Sequence, residues 1–306
     1  MRILVTGGAG FIGSHIVDSY IKKGHEVSVI DNLSTGDRKN LNPAAKFYQA
    51  DIRDDLSALI KEIKPEVINH HAAQIDVRVS VSNPIFDAGT NIIGTLNVIE
   101  AGLKNGLKKF IFASTGGAIY GEQDYFPADE LHPTKPLSPY GVAKLTCEKY
   151  LYYYKHNFGL DYIALRYANV YGPRQNPFGE AGVVAILTHK LIRGEQPVIN
   201  GDGLQTRDYV YVNDVVKANI KALGTEFTGE LNISTGIETS VNELFNGLKA
   251  ISAGKITPSH GPAKKGEQQR SCLSYKKAED ILNWAPETSV DEGLRKTFEW
   301  FAGNTK

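Results

Sequence analysis

The chain has 306 residues, 42% hydrophobic and 22% charged, ordinary proportions for a soluble globular protein large enough for two lobes. Its 34 basic and 34 acidic side chains balance, so net charge argues for neither nucleic-acid nor membrane-surface binding. Cys147 and Cys272 are too few for a disulfide framework, no apolar run nears the ~20 residues of a membrane helix, and Arg2-Ile-Leu-Val5 opens a strand pattern without a signal peptide, so a cytoplasmic chain is expected.

The first half alternates strand and helix patterns. Ile3 to Thr6 predicts a buried strand. A helix from Phe11 to Lys23 follows, with Phe11, Ile12, Ile16, Val17, Tyr20 and Ile21 at helical spacing and Gly24 as its stop. Further strands are predicted at Val27 to Ile30, Phe47 to Ala50, Val67 to His70, Phe110 to Ala113 and Tyr162 to Leu165, with helices at Ile92 to Leu103 and Tyr140 to Tyr154. This order predicts an α/β fold of Rossmann type, a doubly wound parallel sheet covered on both faces. Past Asn169, Pro173, Pro177, Gly179 and Gly182 punctuate an irregular stretch. Short elements follow, among them Val183–Ile192, Tyr209–Val212, Val215–Leu223 and Glu243–Ile251. The expected organisation is a main domain over 1–169 and a smaller α/β lobe over 170–306, some of whose segments return to the main domain.

Gly8-Ala-Gly10-Phe-Ile-Gly13 satisfies G-x-G-x-x-G, and Gly7 extends the spacing. A glycine-rich turn without a ligand can match the same pattern. Here it follows a predicted strand and opens a predicted helix, the context a dinucleotide loop requires. Absent side chains at Gly7, Gly10 and Gly13 let the backbone approach a pyrophosphate, and the helix start at Phe11 and Ile12 supplies amide donors. The second strand ends in Asp31, followed by Asn32. A carboxylate there accepts hydrogen bonds from a ribose and repels a 2′-phosphate, favouring NAD over NADP; Arg38 is the contrary signal. Three later strand ends add candidates: Asp51-Ile52, whose carboxylate can reach the adenine amino group; Ala72-Ala73-Gln74, small enough for a cofactor to lie close; and Asn91. No metal site is expected.

Tyr140 and Lys144 are four residues apart and share a helix face. A free tyrosine titrates near ~10, too high for an efficient base at neutral pH, so the neighbouring ammonium, with a positive nicotinamide ring beyond it, is expected to favour the phenolate and lower that pKa. Lys144 can also donate to ribose hydroxyls. A surface Tyr/Lys pair is common on any helix; its place after the fifth strand of a dinucleotide fold gives this one meaning.

The ordered set Thr6–Gly13, Asp31-Asn-Leu-Ser-Thr-Gly36, His71-Ala-Ala-Gln74, Ser114-Thr-Gly-Gly-Ala-Ile-Tyr-Gly121, Ser138-Pro-Tyr-Gly-Val-Ala-Lys144 and Arg166-Tyr-Ala-Asn-Val-Tyr-Gly-Pro173 resembles the extended short-chain dehydrogenase/reductases that act on nucleotide sugars. Gly201-Asp-Gly-Leu-Gln-Thr-Arg-Asp-Tyr209 and Gly266-Glu-Gln-Gln-Arg270 extend the resemblance over nearly the whole chain, with greatest likeness to UDP-glucose (UDP-galactose) 4-epimerases. The resemblance implies resident NAD, further cofactor contacts at Ser114 and Tyr167, and a proton taken from the sugar O4 and returned by Tyr140. It implies a UDP-sugar held by Asn169, Gly182, Val183, a nucleobase edge from Gln196 through Val198 to Ile199, and a diphosphate clamp of Arg207, Lys264 and Arg270. It also implies a homodimer through the helices at Ile92–Leu103 and Tyr140–Tyr154, although Tyr152, Tyr153 and Tyr154 suit a core equally.

One departure concerns the proton path. The family places Ser or Thr at the end of the fifth strand, where this chain has Gly116; Thr115, one residue earlier, or a water then takes the role. Gly116-Gly117 also replaces the Asp-Glu pair of the related dehydratases, which disfavours water elimination. Ser271 occupies the gatekeeper position beside the sugar, small enough to admit a 2-N-acetyl group, so UDP-GlcNAc/UDP-GalNAc interconversion stands beside UDP-glucose/UDP-galactose. Another nucleotide-sugar dehydrogenase, reductase or decarboxylase, or a non-catalytic NAD sensor, are the remaining alternatives.

Overall fold

The computed structural model describes residues 1–178, 182–263 and 268–304. In the first half, strands β1 (Arg2–Thr6), β2 (Glu26–Asp31), β3 (Lys46–Gln49), β4 (Val67–His70), β5 (Lys109–Thr115) and β6 (Asp161–Tyr167) alternate with helices α1 (Phe11–Lys22), α2 (Ser57–Ile63), α3 (Val77–Ser82), α4 (Pro84–Ala88), α5 (Gly94–Leu103), α6 (Gly116–Ile119) and α7 (Pro139–Phe158). The second half carries β7 (Asn169–Tyr171), α8 (Val183–Ile192), β8 (Val198–Asn200), β9 (Thr206–Tyr211), α9 (Val212–Gly224), β10 (Gly229–Ile233), β11 (Glu238–Ser240), α10 (Val241–Ser252), β12 (Ser259–Gly261), α11 (Lys276–Leu282) and α12 (Val290–Asn304).

Among the described residues the main sheet has the order β10-β6-β5-β4-β1-β2-β3, and every neighbouring pair in it is parallel. This is the doubly wound Rossmann-type sheet expected. Side chains alternate across it. Ile3 and Val5 join Ile16, Val17 and Tyr20 on one face, whereas Leu4 joins Ile68, Val98, Ile99 and Leu151 on the other. Chain order runs outward from β1 to β3 on one side and from β4 to β6 on the other. The crevice at the carboxyl ends of β1 and β4 is therefore the switch point where ligands bind in such sheets.

Two elements differ from expectation. The helix expected from Ile92 begins earlier: α4 runs through a π turn at Gly89–Ile93 into α5, which packs Asn91 inward. The seventh strand, β10, comes from the second half of the chain. Its Gly-Glu-Leu-Asn-Ile pattern is too polar to read as a buried strand, yet Asn232 is fully buried and its amide is satisfied by Ala128 O at 3.2 Å and Ser274 O at 3.3 Å. A smaller lobe packs α8, α10 and α12 around Tyr171, Leu187, Leu244 and Leu294. A three-stranded sheet, β11-β9-β7, lies beside it.

A buried ion pair joins α7 to the sheet. Arg166 Nε and Nη2 donate to Glu148 Oε1 at 3.0 Å and Oε2 at 2.7 Å, with both side chains at 4% exposure or less. Ser114 Oγ adds a bond to Glu148 at 2.7 Å, and Arg166 Nη1 donates to Tyr120, which donates to Asn232 of β10. Removing one partner leaves a buried charge uncompensated, which costs about 3–5 kcal/mol. Glu148→Gln is accordingly expected to lose roughly that much in chemical denaturation; a loss below about 1 kcal/mol would show that the pair does not brace the fold.

Candidate active site

The glycine loop lies at the end of β1. Gly7 has φ of 70°, and a Cβ there would sit 2.6 Å from the Ala72 amide nitrogen; one on Gly13 would sit 2.3 Å from Gly7 O. Helix α1 starts at Gly10 with no side-chain cap, so the amides of its first turn meet no side-chain acceptor. Asp31 accepts from Ala9 N at 3.0 Å and Leu33 N at 2.8 Å, which anchors its carboxylate at the end of β2. Arg38 turns to Gln49 at 2.6 Å and lies over the Phe47 ring. The side-chain-free cradle, the uncapped helix start and the anchored carboxylate fit NAD.

The other predicted cofactor residues form a braced rim. Asp51 is gripped by Arg53 at 2.9 and 2.7 Å and by Asn32 at 2.8 Å, and the Arg53 hydrogen bonds hold its carboxyl well below the usual range. Any adenine contact by Asp51 shares its oxygens with these donors. Ile52 is buried against Gly94. Beyond Ala72 and Ala73, Gln74 N donates to Asn91 Oδ1 and Asn91 Nδ2 returns a bond to Gln74 O, each 2.9 Å. The Tyr167 hydroxyl accepts from Asn219 at 2.8 Å, and its ring stacks on His71, which burial holds neutral with its pKa lowered to about 3. The Ser114 hydroxyl donates to Glu148 inside the fold, so this side chain braces α7.

Tyr140 and Lys144 stand in the first turns of α7, whose start is set by the Ser138 cap on Gly141 N at 3.2 Å and by Pro139. The Lys144 ammonium donates to Ala113 O at 2.9 Å and lies 4.7 Å over the Phe112 ring and 5.9 Å from the Tyr140 ring centroid. Burial pushes its pKa down to about 8. Within the protein alone, burial first and then the Asp87 carboxylate raise the Tyr140 pKa, and Lys144 does not by itself outweigh them. Sequence reasoning missed Asp87. It is 1% exposed and accepts from Gln74 at 2.9 Å and Asn91 at 3.0 Å, while its second oxygen has no partner. Its position two residues before a π turn carries no periodic signal.

Thr115 ends β5. Beside it, a Cβ on Gly117 would have open space, 3.7 Å from Asn169 Oδ1 and 3.9 Å from Thr115 Oγ1. Thr115, Gly117 and Asn169 thus share one corner. A Cβ on Gly116 would instead lie 2.2 Å from Leu273 Cδ1, so a side chain at 116 requires Leu273 to move.

The predicted substrate residues divide. The segment before Leu273 runs beside β9, with Thr206 N donating to Gln269 O at 2.9 Å. Arg270 does not present a free fork. Glu238 takes it at 3.0 and 2.6 Å, and it stacks 4.0 Å from the Phe126 ring. Arg207 donates to Thr206 O at 2.8 Å. Ser271 is buried. Asp208, also missed from sequence, pins this region: it accepts from Thr235 N and Oγ1, Gly236 N and Leu273 N, while burial raises its pKa to about 6. Gly182 caps α8 and Val183 packs on the smaller core. Gln196 donates to Thr257 O at 3.1 Å and Val198 stays exposed on β8. Lys264 lies outside the described residues.

The family model described as "NAD dependent epimerase/dehydratase family" matches residues 3–234. A putative UDP-glucose 4-epimerase of Methanocaldococcus jannaschii is 49% identical over 305 residues, covering 99% of both chains. The crystal structure of a UDP-glucose 4-epimerase from Thermotoga maritima with UDP-glucose is 50% identical, with a TM-score of 0.98 over 100% of both chains. A UDP-N-acetylglucosamine 4-epimerase from Methanobrevibacter ruminantium M1, in complex with UDP-N-acetylmuramic acid, is 36% identical, with a TM-score of 0.94 over 99% of both. With a glycine cradle that fits NAD and a tyrosine–lysine pair above it, the chain belongs to the NAD-dependent epimerase/dehydratase family and is an enzyme of the isomerase class.

Proposed function

We propose that the chain is a UDP-sugar 4-epimerase that interconverts UDP-glucose and UDP-galactose through a 4-keto sugar kept in the site. The observation that carries this reading is the corner formed by Thr115, Gly117 and Asn169 at the end of β5, in a chain that also holds Tyr140 and Lys144 on the adjoining helix. It is supported by two relatives of about half identity that bear the 4-epimerase name. The glycines at 116 and 117 leave no acid for dehydration.

NAD held by the glycine loop and Asp31 would supply the hydride acceptor and donor for C4 and, when oxidised, a positive charge. Tyr140, as phenolate, takes the O4 proton, directly or through the Thr115 hydroxyl, and gives it back after the sugar presents its other face. The proton never leaves the pair, so no external base is consumed. Lys144, its pKa lowered by burial to about 8, is still largely protonated at neutral pH, and its charge together with that of the oxidised cofactor would be what favours the phenolate against burial. Arg207, Arg270 and Lys264 hold the diphosphate, with Glu238 orienting Arg270. The buried Ser271 and the N-acetylated sugar nucleotide named for the Methanobrevibacter relative favour, as a second reading, UDP-GlcNAc/UDP-GalNAc interconversion.

The assay is purified protein with UDP-galactose and no added cofactor. UDP-glucose formed without accumulating NADH is the expected result; stoichiometric NADH would indicate a dehydrogenase instead. Tyr140→Phe should lower kcat by about 10²–10⁴. Thr115→Ala should lower it about 10–100-fold while Thr115→Ser stays near wild type; equal activity of all three would remove Thr115 from the proton path.

The Lys144 ammonium should titrate near pH 8 in the ligand-free protein, because burial disfavours its charged form. Lysine-side-chain NMR, with Lys144→Arg to assign the signal, reads this directly; a midpoint above about 10, where a free lysine titrates, would contradict the burial argument. We also propose a homodimer. Ile93, Val142, Tyr152 and Tyr153 are exposed by about half on and beside α5 and α7, while Tyr154 is core. Sedimentation should show a dimer that Val142→Asp splits, and a monomer at micromolar concentration would rule it out.

A further inference from the structure

We propose that Leu273 is a positioning residue. Its side chain takes the volume that a residue-116 side chain needs, and so confines the proton-sharing hydroxyl to Thr115. The catalytic half of this inference rests on the epimerase reading; the packing half does not.

The geometry is asymmetric across the two glycines. A Cβ at 116 meets Leu273 at 2.2 Å from Cδ1 and 3.4 Å from Cγ and Cδ2, whereas a Cβ at 117 meets nothing closer than 3.7 Å. Leu273 has close-packed neighbours, so moving its Cδ1 away from position 116 disturbs them. It is 1% exposed and packs with Tyr120, Ala128 and Ala168. Its backbone is held at both ends. Its amide donates to Asp208 Oδ2 at 3.4 Å and its carbonyl accepts from Ser234 Oγ at 3.0 Å. Ala128 N donates to Cys272 O at 2.9 Å, and Ser274 N donates to Ala128 O at 2.8 Å. In a close-packed interior an extra side chain against such a strut forces off-rotamer neighbours.

Leu273 therefore presses the segment that carries Arg270 and Ser271 onto the strand end that carries Thr115. Glycine at 116 is the price of that contact. With position 116 closed and position 117 lacking a side chain, the hydroxyl available at this strand end is that of Thr115. Leu273 acts on the reaction through Thr115 and touches no reacting atom itself.

The test is a mutant cycle on the full-length protein, read by thermal melting and by kcat and KM. G116S is expected to lower Tm by roughly 2–8 °C, and adding L273A is expected to recover part of that loss, because the two changes share one volume. If G116S fails to fold, soluble G116S/L273A supports the proposal, and failure of both beside a folded L273A overturns it. G116S as stable as wild type, or strictly additive melting losses, also overturns it, whatever reaction the enzyme performs. For catalysis, T115A should lose most of kcat with KM little changed. T115A/G116S/L273A, which relocates the hydroxyl into the vacated space, should exceed T115A/L273A in kcat at least tenfold. Equal kcat in those two proteins contradicts the confinement of the hydroxyl. Wild type inactive on UDP-galactose and UDP-GalNAc would sink the epimerase reading, and the melting cycle would still decide the packing claim.

Discussion

The Glu148–Arg166 pair is the constraint on which the rest of the site depends. It joins the helix bearing Tyr140 and Lys144, the strand ends at Ser114 and Arg166, and the incoming strand β10 in a single buried network. A buried ion pair is weak evidence for stability as such, because desolvation offsets much of its attraction. Its value here is geometric. The fork-to-carboxylate match fixes the rotation of α7 about its axis, and one turn away that rotation sets where Lys144 points. Lys144 then reaches the Ala113 carbonyl and the Phe112 face, a short distance from Tyr140.

Electrostatics at the pair are poised, not finished. Burial lowers the lysine and raises the tyrosine, so the protein alone holds the phenol protonated. Asp87, half satisfied and buried behind Gln74 and Asn91, adds to that bias. A site of this kind favours the phenolate only when further positive charge arrives. Further along the chain, Glu238 holds the Arg270 guanidinium at 3.0 and 2.6 Å, and Asp208 ties the Thr235–Gly236 turn to the Leu273 amide.

Much of this was legible in the chain itself. The alternation of apolar strands with helical segments yields the sheet, and the glycines at 7, 10 and 13 with Asp31 locate the crevice, because backbone close approach leaves a residue-type signature. Three things were not legible. Strand β10 is short and carries a buried polar residue, Asn232, whose partners lie a hundred and more residues away or in a later loop. The direction of the Tyr140 shift depends on the surroundings of its hydroxyl, Asp87 among them, which spacing alone does not reveal. The reason for Gly116 is a leucine 157 positions further along the chain, a contact that only the fold creates. The Ser114 hydroxyl, in a recurring motif, makes a hydrogen bond to Glu148 that only the fold reveals.

The most direct test of the central claim follows the hydrogen at C4. UDP-galactose carrying deuterium at C4 is converted in ordinary water by the protein as purified, and the UDP-glucose formed is analysed by mass spectrometry and NMR. Full retention of deuterium at C4, with none lost to solvent, is the predicted outcome, because the hydride is lifted and returned within one closed site while Tyr140 handles only the O4 proton. Loss of the label to water, or label trapped in a reduced cofactor with no epimer formed, would contradict the account.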